Sequence, residues 1–234
     1  MTLKQLIIIG VDGASYNIIM KYIEHFKFFR QVTLRPLKSL VPPSSIPVWT
    51  SIFTGVNPAK HGLFGFTRQH DYYYNLVNLH QIPVMTLWDF FNKASMRTVV
   101  INVPMIYPVK PINGCMIAGM FSPTNSFTPK NVFPFNYEIL NLLKRYSYKI
   151  EPPISEDMTP IMAFKNLQLS VRARTRSFID LMKLMRAHLG VIVFTELDRL
   201  QHLFWHDQKI IVNAYKVIDE HLQLISEKFN DVPI

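Results

Sequence analysis

The sequence predicts an α/β protein in which a mostly parallel sheet carries helices on both faces. Short runs of β-branched residues alternate along the chain with longer segments whose apolar residues recur at helical spacing. This alternation is typical of parallel strands joined by right-handed crossover helices. The chain has 234 residues, of which 49% are hydrophobic and 18% charged, so we expect a sizeable core in one domain over 1–234.

Four segments have the composition of strands. The first, LIIIGV, is typical of a central strand that is buried on both faces, and Asp12 and Gly13 end it. The predicted strands are LIIIGV at 6–11, RTVVIN at 97–102, CMIAGM at 115–120 and VIVFT at 191–195.

Helical spacing of apolar residues predicts four longer helices between and after these strands. Thr86 is a suitable N-cap for the second helix, and Gly190 is expected to end the third. The predicted helices lie at 16–29, 85–94, 160–188 and 210–229. The segment 121–159 is rich in proline, aromatic and polar residues, and we expect it to form an excursion over one end of the sheet.

Composition restricts the possible partners and locations. The net charge of +9 suits an anionic or phosphorylated partner, but no basic run stands beside interleaved aromatic residues, which argues against nucleic acid. The densest basic stretch, SVRARTRSF at 170–178, is expected to be the wet face of a helix. Cys115 is the only cysteine, and no apolar run approaches the ~20 residues that span a bilayer, so we expect a cytoplasmic protein without membrane contact.

Several polar residues follow the predicted strands. In parallel α/β sheets, ligand sites lie beyond the carboxyl ends of the strands. The first strand brings Asp12 to that edge, and a segment at the start of a helix near Pro47 can bring Ser45 there. The strand at 191–195 brings three further residues: Glu196, Asp198 and His202.

Asp198 and His202 are four residues apart. On a helix this spacing places both side chains on one face, where a carboxylate and an imidazole can share a metal ion. The same spacing also suits a simple hydrogen bond at a helix start, with Asp198 acting on the helix dipole. Similarly, Asp12 with Gly13 could be an ordinary turn after a strand.

Ser45 also has two interpretations. A hydroxyl near the positive end of a helix can act as a nucleophile toward phosphorus, because an alkoxide and a phosphoryl group are both stabilised there. Alternatively, Ser44 or Ser45 could cap the helix. We expect His61 and His80 to serve loop packing or solvent contacts rather than a metal.

Taken in order, these motifs resemble one family. The similar segments are IIIGVDGA at 7–14, PPSSIPVWTSIFTGVNPAKHGLFGF at 42–66, LWDFF at 87–91, VVINVPMIYP at 99–108, NGCMIAGMFSP at 113–123, FTELDRLQHLFW at 194–205 and AYKVIDEHL at 214–222. The sequence resembles the alkaline phosphatase superfamily and, within it, the prokaryotic members of the type I phosphodiesterase/nucleotide pyrophosphatase family. The resemblance extends through nearly the whole chain.

The resemblance implies an alkaline-phosphatase-like fold and a metal-dependent phosphoesterase, most similar to a phosphodiesterase or nucleotide pyrophosphatase. The family's nucleophile, Thr or Ser, falls on Ser45, which with Asp12 would bind one of two divalent cations, zinc or manganese. The second cation's Asp and His fall on Asp198 and His202. Val48 stands where eukaryotic members carry a substrate-contacting Asn, so the resemblance implies a phosphate-ester small molecule without specifying a nucleotide.

The resemblance also predicts that the fold is C-terminally incomplete. The family continues from a helix like the last one here into a strand ending in Ser-Asp-His-Gly and later supplies another His, but the sequence contains no Asp-His-Gly. We therefore expect about half of the metal ligands to come from a downstream segment or a second chain. Two alternatives remain: a catalytically silent module that binds phosphate or another anion, and a phosphotransferase or mutase of the same superfamily.

Overall fold

A computed structural model describes residues 5–70, 73–230 and 232–234. Its main sheet has five strands in the order β1-β7-β4-β5-β6, and a separate two-stranded antiparallel sheet is formed by β2 and β3. In the main sheet β1, β7, β4 and β5 are parallel, and only β6 runs antiparallel. The predicted α/β class with a mostly parallel sheet is confirmed.

All four predicted strands are present. The strands are β1 (Leu6–Val11), β2 (Thr67–His70), β3 (Tyr73–Leu76), β4 (Thr98–Ile101), β5 (Gly114–Ile117), β6 (Val132–Phe133) and β7 (Leu189–Phe194). The helices are α1 (Tyr16–Lys21), α2 (Ser45–Thr54), α3 (Pro58–His61), α4 (Leu87–Lys93), α5 (Tyr137–Arg145), α6 (Pro160–Leu184), α7 (Glu196–Phe204) and α8 (Gln208–Lys228). No helix in the described ranges is both long and apolar enough to cross a membrane.

Successive residues of the buried strands serve two cores, one on each face of the sheet. In β4, Val99 and Ile101 pack with the helices α6, α7 and α8, whereas Val100 packs on the opposite face with Trp49 of α2 and Trp88 of α4. This division follows from the two-residue period of a strand. Helices therefore cover both faces, as the sequence predicts.

Four details differ from the expectations, and one of them is that the α-helix predicted at 16–29 ends at Lys21. The first strand is not central: among the described strands β1 is at the end of the order, and four of its six residues are only partly buried. Its outer edge meets the segment near the C-terminus, where the Ile7 N–H donates to the Pro233 carbonyl at 3.0 Å. Apolar composition identified a strand here, but it does not distinguish an edge from a centre.

Gly190 does not end the long helix. Helix α6 ends at Leu184, and Gly190 lies inside β7. A Cβ atom on Gly190 would lie 2.6 Å from Met182 Sδ and 2.7 Å from Phe178 Cζ, so glycine allows α6 to lie directly on the strand. The glycine therefore marks a close helix–strand contact rather than a stop.

The basic stretch of α6 is not wholly a wet face. Arg174 is fully buried and forms an ion pair through its Nε with Oε1 of Glu196, the first residue of α7. The other guanidinium nitrogens donate to the Tyr148 hydroxyl at 2.7 Å and the Ile150 carbonyl at 3.0 Å, and Ser170 Oγ donates to Glu196 Oε1 at 2.6 Å. Burial alone would lower the pKa of Arg174, but the charges of Glu196, Tyr148 and Glu151 and the hydrogen bond to Glu196 together outweigh it, so the pKa is raised.

The segment 121–159 contains regular structure. It supplies β6, which pairs with β5, and α5, which packs against α6. Beyond α5, Glu151 forms an ion pair with Arg199 of α7. The segment therefore contacts the helix that carries Asp198.

Breaking the buried ion pair should destabilise the fold strongly. Arg174→Met leaves the Glu196 carboxylate buried without its cation, so we expect a loss of about 3–5 kcal/mol in the free energy of unfolding, measured by urea denaturation. Arg172→Met, at an exposed position on the same helix, should change it by less than about 0.5 kcal/mol. The double variant Arg174→Met/Glu196→Met should lose less than the sum of the two single variants. Additive losses would contradict the coupling.

The half-buried His221 of α8 should make stability depend on pH. Burial and, less strongly, the charges of Arg172 and Arg176 together lower the pKa of His221 to about 4, against an opposing contribution from Glu196. The unfolded chain binds the proton near pH 6.5 and the folded chain only near pH 4, so stability present above pH 6.5 is lost as the pH falls through this window. Between these pH values the free energy of unfolding of the unmodified protein should fall by an amount on the order of 2 kcal/mol, and this fall should be absent in His221→Asn. The exposed His25→Asn variant should follow the unmodified protein, and parallel curves for all three would refute the assignment.

Candidate metal and phosphate site

Parallel pairing of β1 with β7 sets the position of the candidate site. Val11 is in register with Phe194, and the Asp12 N–H donates to the Phe194 carbonyl at 2.9 Å. Asp12 therefore leaves the sheet directly beside the turn into α7, which carries Asp198 and His202. Both acidic segments meet at the carboxyl edge of the sheet.

Gly13 permits a close contact between the β1 turn and α7. Its φ is +76°, and a Cβ atom there would lie 2.6 Å from Gln201 Nε2 and 2.9 Å from Asp198 Cα. A side chain at this position would thus separate Asp12 from Asp198 as well as straining the backbone. The sequence indicated a turn here, but not this contact.

Ser45 reaches the site from the first turn of α2. Ser44 is the N-cap residue, yet its side chain makes no capping hydrogen bond, so the capping interpretation does not hold for Ser44. The Ser45 hydroxyl donates to the Asp12 carboxylate, at 3.2 Å from Oδ2 and 3.4 Å from Oδ1. The structure therefore joins Ser45 to Asp12.

Asp198 and His202 form the second pair. The His202 Nε2 lies 3.5 Å from Asp198 Oδ2, and the imidazole is 77% exposed whereas the Asp198 side chain is 22% exposed. A cavity of about 370 Å³ adjoins them, lined by Gly13, Asp198, Gln201, His202 and Trp205. The contact between His202 and Asp198 is long, and the His202 imidazole remains accessible to solvent.

The two aspartates interact electrostatically. Burial and the nearby Asp198 charge together raise the pKa of Asp12 to about 6, against the opposing hydrogen bonds from Trp49, Ser45 and Gly13. Burial likewise raises the pKa of Asp198, although His202 and Arg199 oppose the shift. Two desolvated carboxylates that repel each other make a favourable position for a cation.

Donor chemistry at this edge suits a divalent metal. Carboxylate oxygens, an imidazole nitrogen and a hydroxyl are ligand types that zinc and manganese accept. Within the described ranges, however, no group of three or more His, Cys, Asp or Glu side chains is arranged to hold one ion. The residues fit a metal in chemistry and supply only part of a coordination shell.

The other candidates named from sequence lie elsewhere. Glu196 is turned into the core against Arg174, because it begins α7 under α6 and cannot reach the sheet edge. His61 is buried, and its Nδ1 accepts from the Leu63 N–H at 3.2 Å while its Nε2 bonds Ser51 Oγ at 3.0 Å. Exposed His80 donates its backbone N–H to Asn78 Oδ1.

Two residues that sequence reasoning missed hold the Asp12 turn. The Gln201 Nε2 donates to the Gly13 carbonyl at 2.9 Å, and the Tyr215 hydroxyl donates to the same oxygen at 3.2 Å. That hydroxyl also accepts from the Ser15 N–H at 2.9 Å. Tyr215 sits on the apolar face of α8, so its spacing indicated only a core residue.

Comparisons with known proteins agree with the α/β fold. A family model described as type I phosphodiesterase/nucleotide pyrophosphatase matches residues 6–231. Among solved structures, the chain is similar to phosphonoacetate hydrolase from Sinorhizobium meliloti 1021 in complex with phosphonoacetate, with a TM-score of 0.65 and 15% identity. The complex of that enzyme with phosphonoformate gives a TM-score of 0.64 and 14% identity. No curated protein matches the chain.

Each of these structural matches covers 97% of this chain and 54% of the solved chain. The chain thus spans about half the length of the solved structures it resembles. At this level of identity the likeness establishes the fold, which is the alkaline-phosphatase-like arrangement expected from the sequence.

Removing the Tyr215 hydroxyl should loosen the turn that carries Asp12. Tyr215→Phe keeps the buried ring but removes the acceptor of the Ser15 N–H and one of the two donors to the Gly13 carbonyl. The free energy of unfolding should therefore fall by about 1–2 kcal/mol in urea denaturation. Tyr16→Phe, at the start of α1, is the matched control and should cost less than about 0.5 kcal/mol. Equal losses in both variants would contradict a specific role for Tyr215.

Proposed function

Because the chain belongs to the type I phosphodiesterase/nucleotide pyrophosphatase family of the alkaline phosphatase superfamily, we propose that it is a metal-dependent phosphoesterase with Ser45 as its nucleophile. One observation carries the proposal: the Ser45 hydroxyl, in the first turn of α2, is hydrogen-bonded at 3.2 Å to the Asp12 carboxylate. The proposed substrate is a small phosphate ester, with phosphodiesters favoured by the family. The structural relatives were solved with small phosphonates bound.

The position of Ser45 suits attack on phosphorus. The first N–H groups of a helix lack helical partners and carry partial positive charge, so the start of α2 can receive phosphoryl oxygens. Asp12 orients the Ser45 hydroxyl through their hydrogen bond and accepts its proton. Ser45 Oγ forms a bond to phosphorus while the bond to the ester oxygen breaks, and the leaving alkoxide takes a proton from solvent. Water then displaces Ser45 from phosphorus, one of its protons restores the Ser45 hydroxyl, and Asp12 releases the proton it had accepted to solvent.

Two divalent cations, zinc or manganese, would neutralise the phosphoryl and leaving-group oxygens when bound. Asp12 and Ser45 would hold one of them, and Asp198 with His202 the other. The mutual repulsion between the aspartates supports this assignment, since a cation would relieve it.

We further propose that other donors complete the shells. Catalytic zinc sites take at least three protein ligands, and the four residues named here provide two for each ion. The remaining donors would come from a further segment of polypeptide or from a second chain. The segment 121–159 would cover the same edge of the sheet, an arrangement supported by the ion pair of Glu151 with Arg199 on α7.

The two serines should behave differently. Ser45→Ala removes the nucleophile, so hydrolysis of bis(p-nitrophenyl) phosphate in the presence of zinc or manganese should fall at least about a thousandfold. Ser44→Ala should retain activity within about twofold, because the Ser44 side chain makes no capping bond that the substitution could remove. Circular dichroism should show both variants folded.

An equal loss in both folded variants would remove Ser45 from its role. Preferential transfer of the phosphoryl group to an added alcohol would indicate a phosphotransferase. Binding of phosphate without turnover, even with the remaining donors supplied, would indicate a silent anion-binding module.

Metal binding should depend on both pairs of residues. In titration calorimetry with zinc, Asp198→Asn should weaken binding at least about tenfold, because a neutral amide replaces the carboxylate ligand. Glu220→Gln is the control, since it removes the same charge from an exposed position of α8 that does not line the cavity beside Asp198 and His202. Identical zinc affinity in Asp198→Asn and the unmodified protein would contradict the assignment.

A further inference from the structure

A second cavity lies among the helices, away from the candidate metal site. It has a volume of about 630 Å³ and lies between the end of α5, the turn that follows it and the middle of α6. Four of its lining residues are cations: Arg145, Lys149, Arg172 and Arg176. None of its lining residues also lines the cavity beside Asp198 and His202.

The arginines of α6 lie in two different environments. Arg174 points into the core and is neutralised by Glu196. Arg172 and Arg176 are exposed, four residues apart, and line the cavity. Like charges at this spacing on a helix destabilise it by a few tenths of a kcal/mol, so the fold alone gives no reason to place them together.

The cavity has no acidic lining residue to balance these charges. Among the residues that the structure describes, none of the four cations forms an ion pair. The nearby Asp180 carboxylate accepts a hydrogen bond of 2.6 Å from the Tyr146 hydroxyl. The field of Arg172 and Arg176 also contributes to the lowered pKa of His221.

We propose that this cavity binds a small molecule that carries two or more phosphate groups. Each guanidinium group can form a bidentate hydrogen bond with phosphate oxygens, from Arg172 and Arg176 on one wall and from Arg145 on the other. Lys149 adds a further positive charge. Asn166 and Ser147 supply further polar groups, while Leu169 and Pro153 can pack against an apolar part of the ligand.

The dimensions favour a small ligand over a polymer. The volume is within the roughly 300–1,000 Å³ typical of small-molecule pockets. A single-stranded nucleic acid would need aromatic side chains along a basic groove, and Tyr146 is the one aromatic residue that lines this cavity.

Titration calorimetry with inorganic tripolyphosphate in metal-free buffer tests the proposal without involving the metal site. The unmodified protein should bind one tripolyphosphate, and orthophosphate at least about tenfold more weakly, since fewer charges reach the cations. Arg172→Gln/Arg176→Gln should weaken tripolyphosphate binding at least about tenfold. The control Lys165→Gln/Lys183→Gln removes the same charge from exposed positions of α6 outside the cavity and should stay within about twofold.

Equal weakening in both double variants would overturn the proposal, because it would show a general response to net charge. Equal affinity for orthophosphate and tripolyphosphate would also overturn it. So would tighter binding of a 20-nucleotide RNA that depends on the same two arginines. Far-ultraviolet circular dichroism of both variants should match the unmodified protein, and a single Arg145→Gln variant on α5 provides a second measurement if the α6 double variant does not fold.

Discussion

The pairing of β1 with β7 is the constraint on which the rest of the structure depends. These strands are separated by almost the whole chain, yet they are in parallel register from Leu6 with Leu189 to Val11 with Phe194. Because both strands point the same way, their carboxyl ends meet, and residues that follow them are brought together. A slip of one residue would turn Asp12 toward the opposite face, since successive side chains alternate. The register therefore fixes where the candidate site can form.

Around this pairing, buried polar contacts hold the turns that carry the site. Arg174 and Glu196 fix the beginning of α7, and Gln201 with Tyr215 holds the Gly13 carbonyl in the β1 turn. These contacts lie within a largely apolar layer, where losing a partner would be costly. The result is a rigid frame that keeps two mutually repelling aspartates close to each other. Such an arrangement is one in which binding a cation compensates the electrostatic cost.

The positive charge of the chain is unevenly distributed. The chain carries a net charge of +9, and part of that excess lies on α6 around a cavity that shares no lining residue with the one beside Asp198 and His202. Arg174 is buried in the core against Glu196, whereas Arg172 and Arg176 remain accessible to solvent or a ligand. The helical period explains this division, because residues two apart lie on nearly opposite faces. The proposed phosphoesterase activity and the proposed phosphate-binding cavity are chemically compatible on one basic protein.

The sequence by itself determined the fold class, the strands and the main candidate residues, because alternating apolar periods and strand-end positions are local signals. It predicted Asp12, Asp198 and His202 at one sheet edge through the rule for parallel strands, with Ser45 reaching the same edge from the start of a helix. Only the tertiary structure decided that β1 is an outer strand of the described sheet, that Gly190 lies under α6, that Arg174 and Glu196 are buried as a pair, and that Tyr215 holds the Asp12 turn. These features depend on which elements become neighbours across long sequence separations, and a side chain's partner cannot be deduced from the periodicity of its own segment.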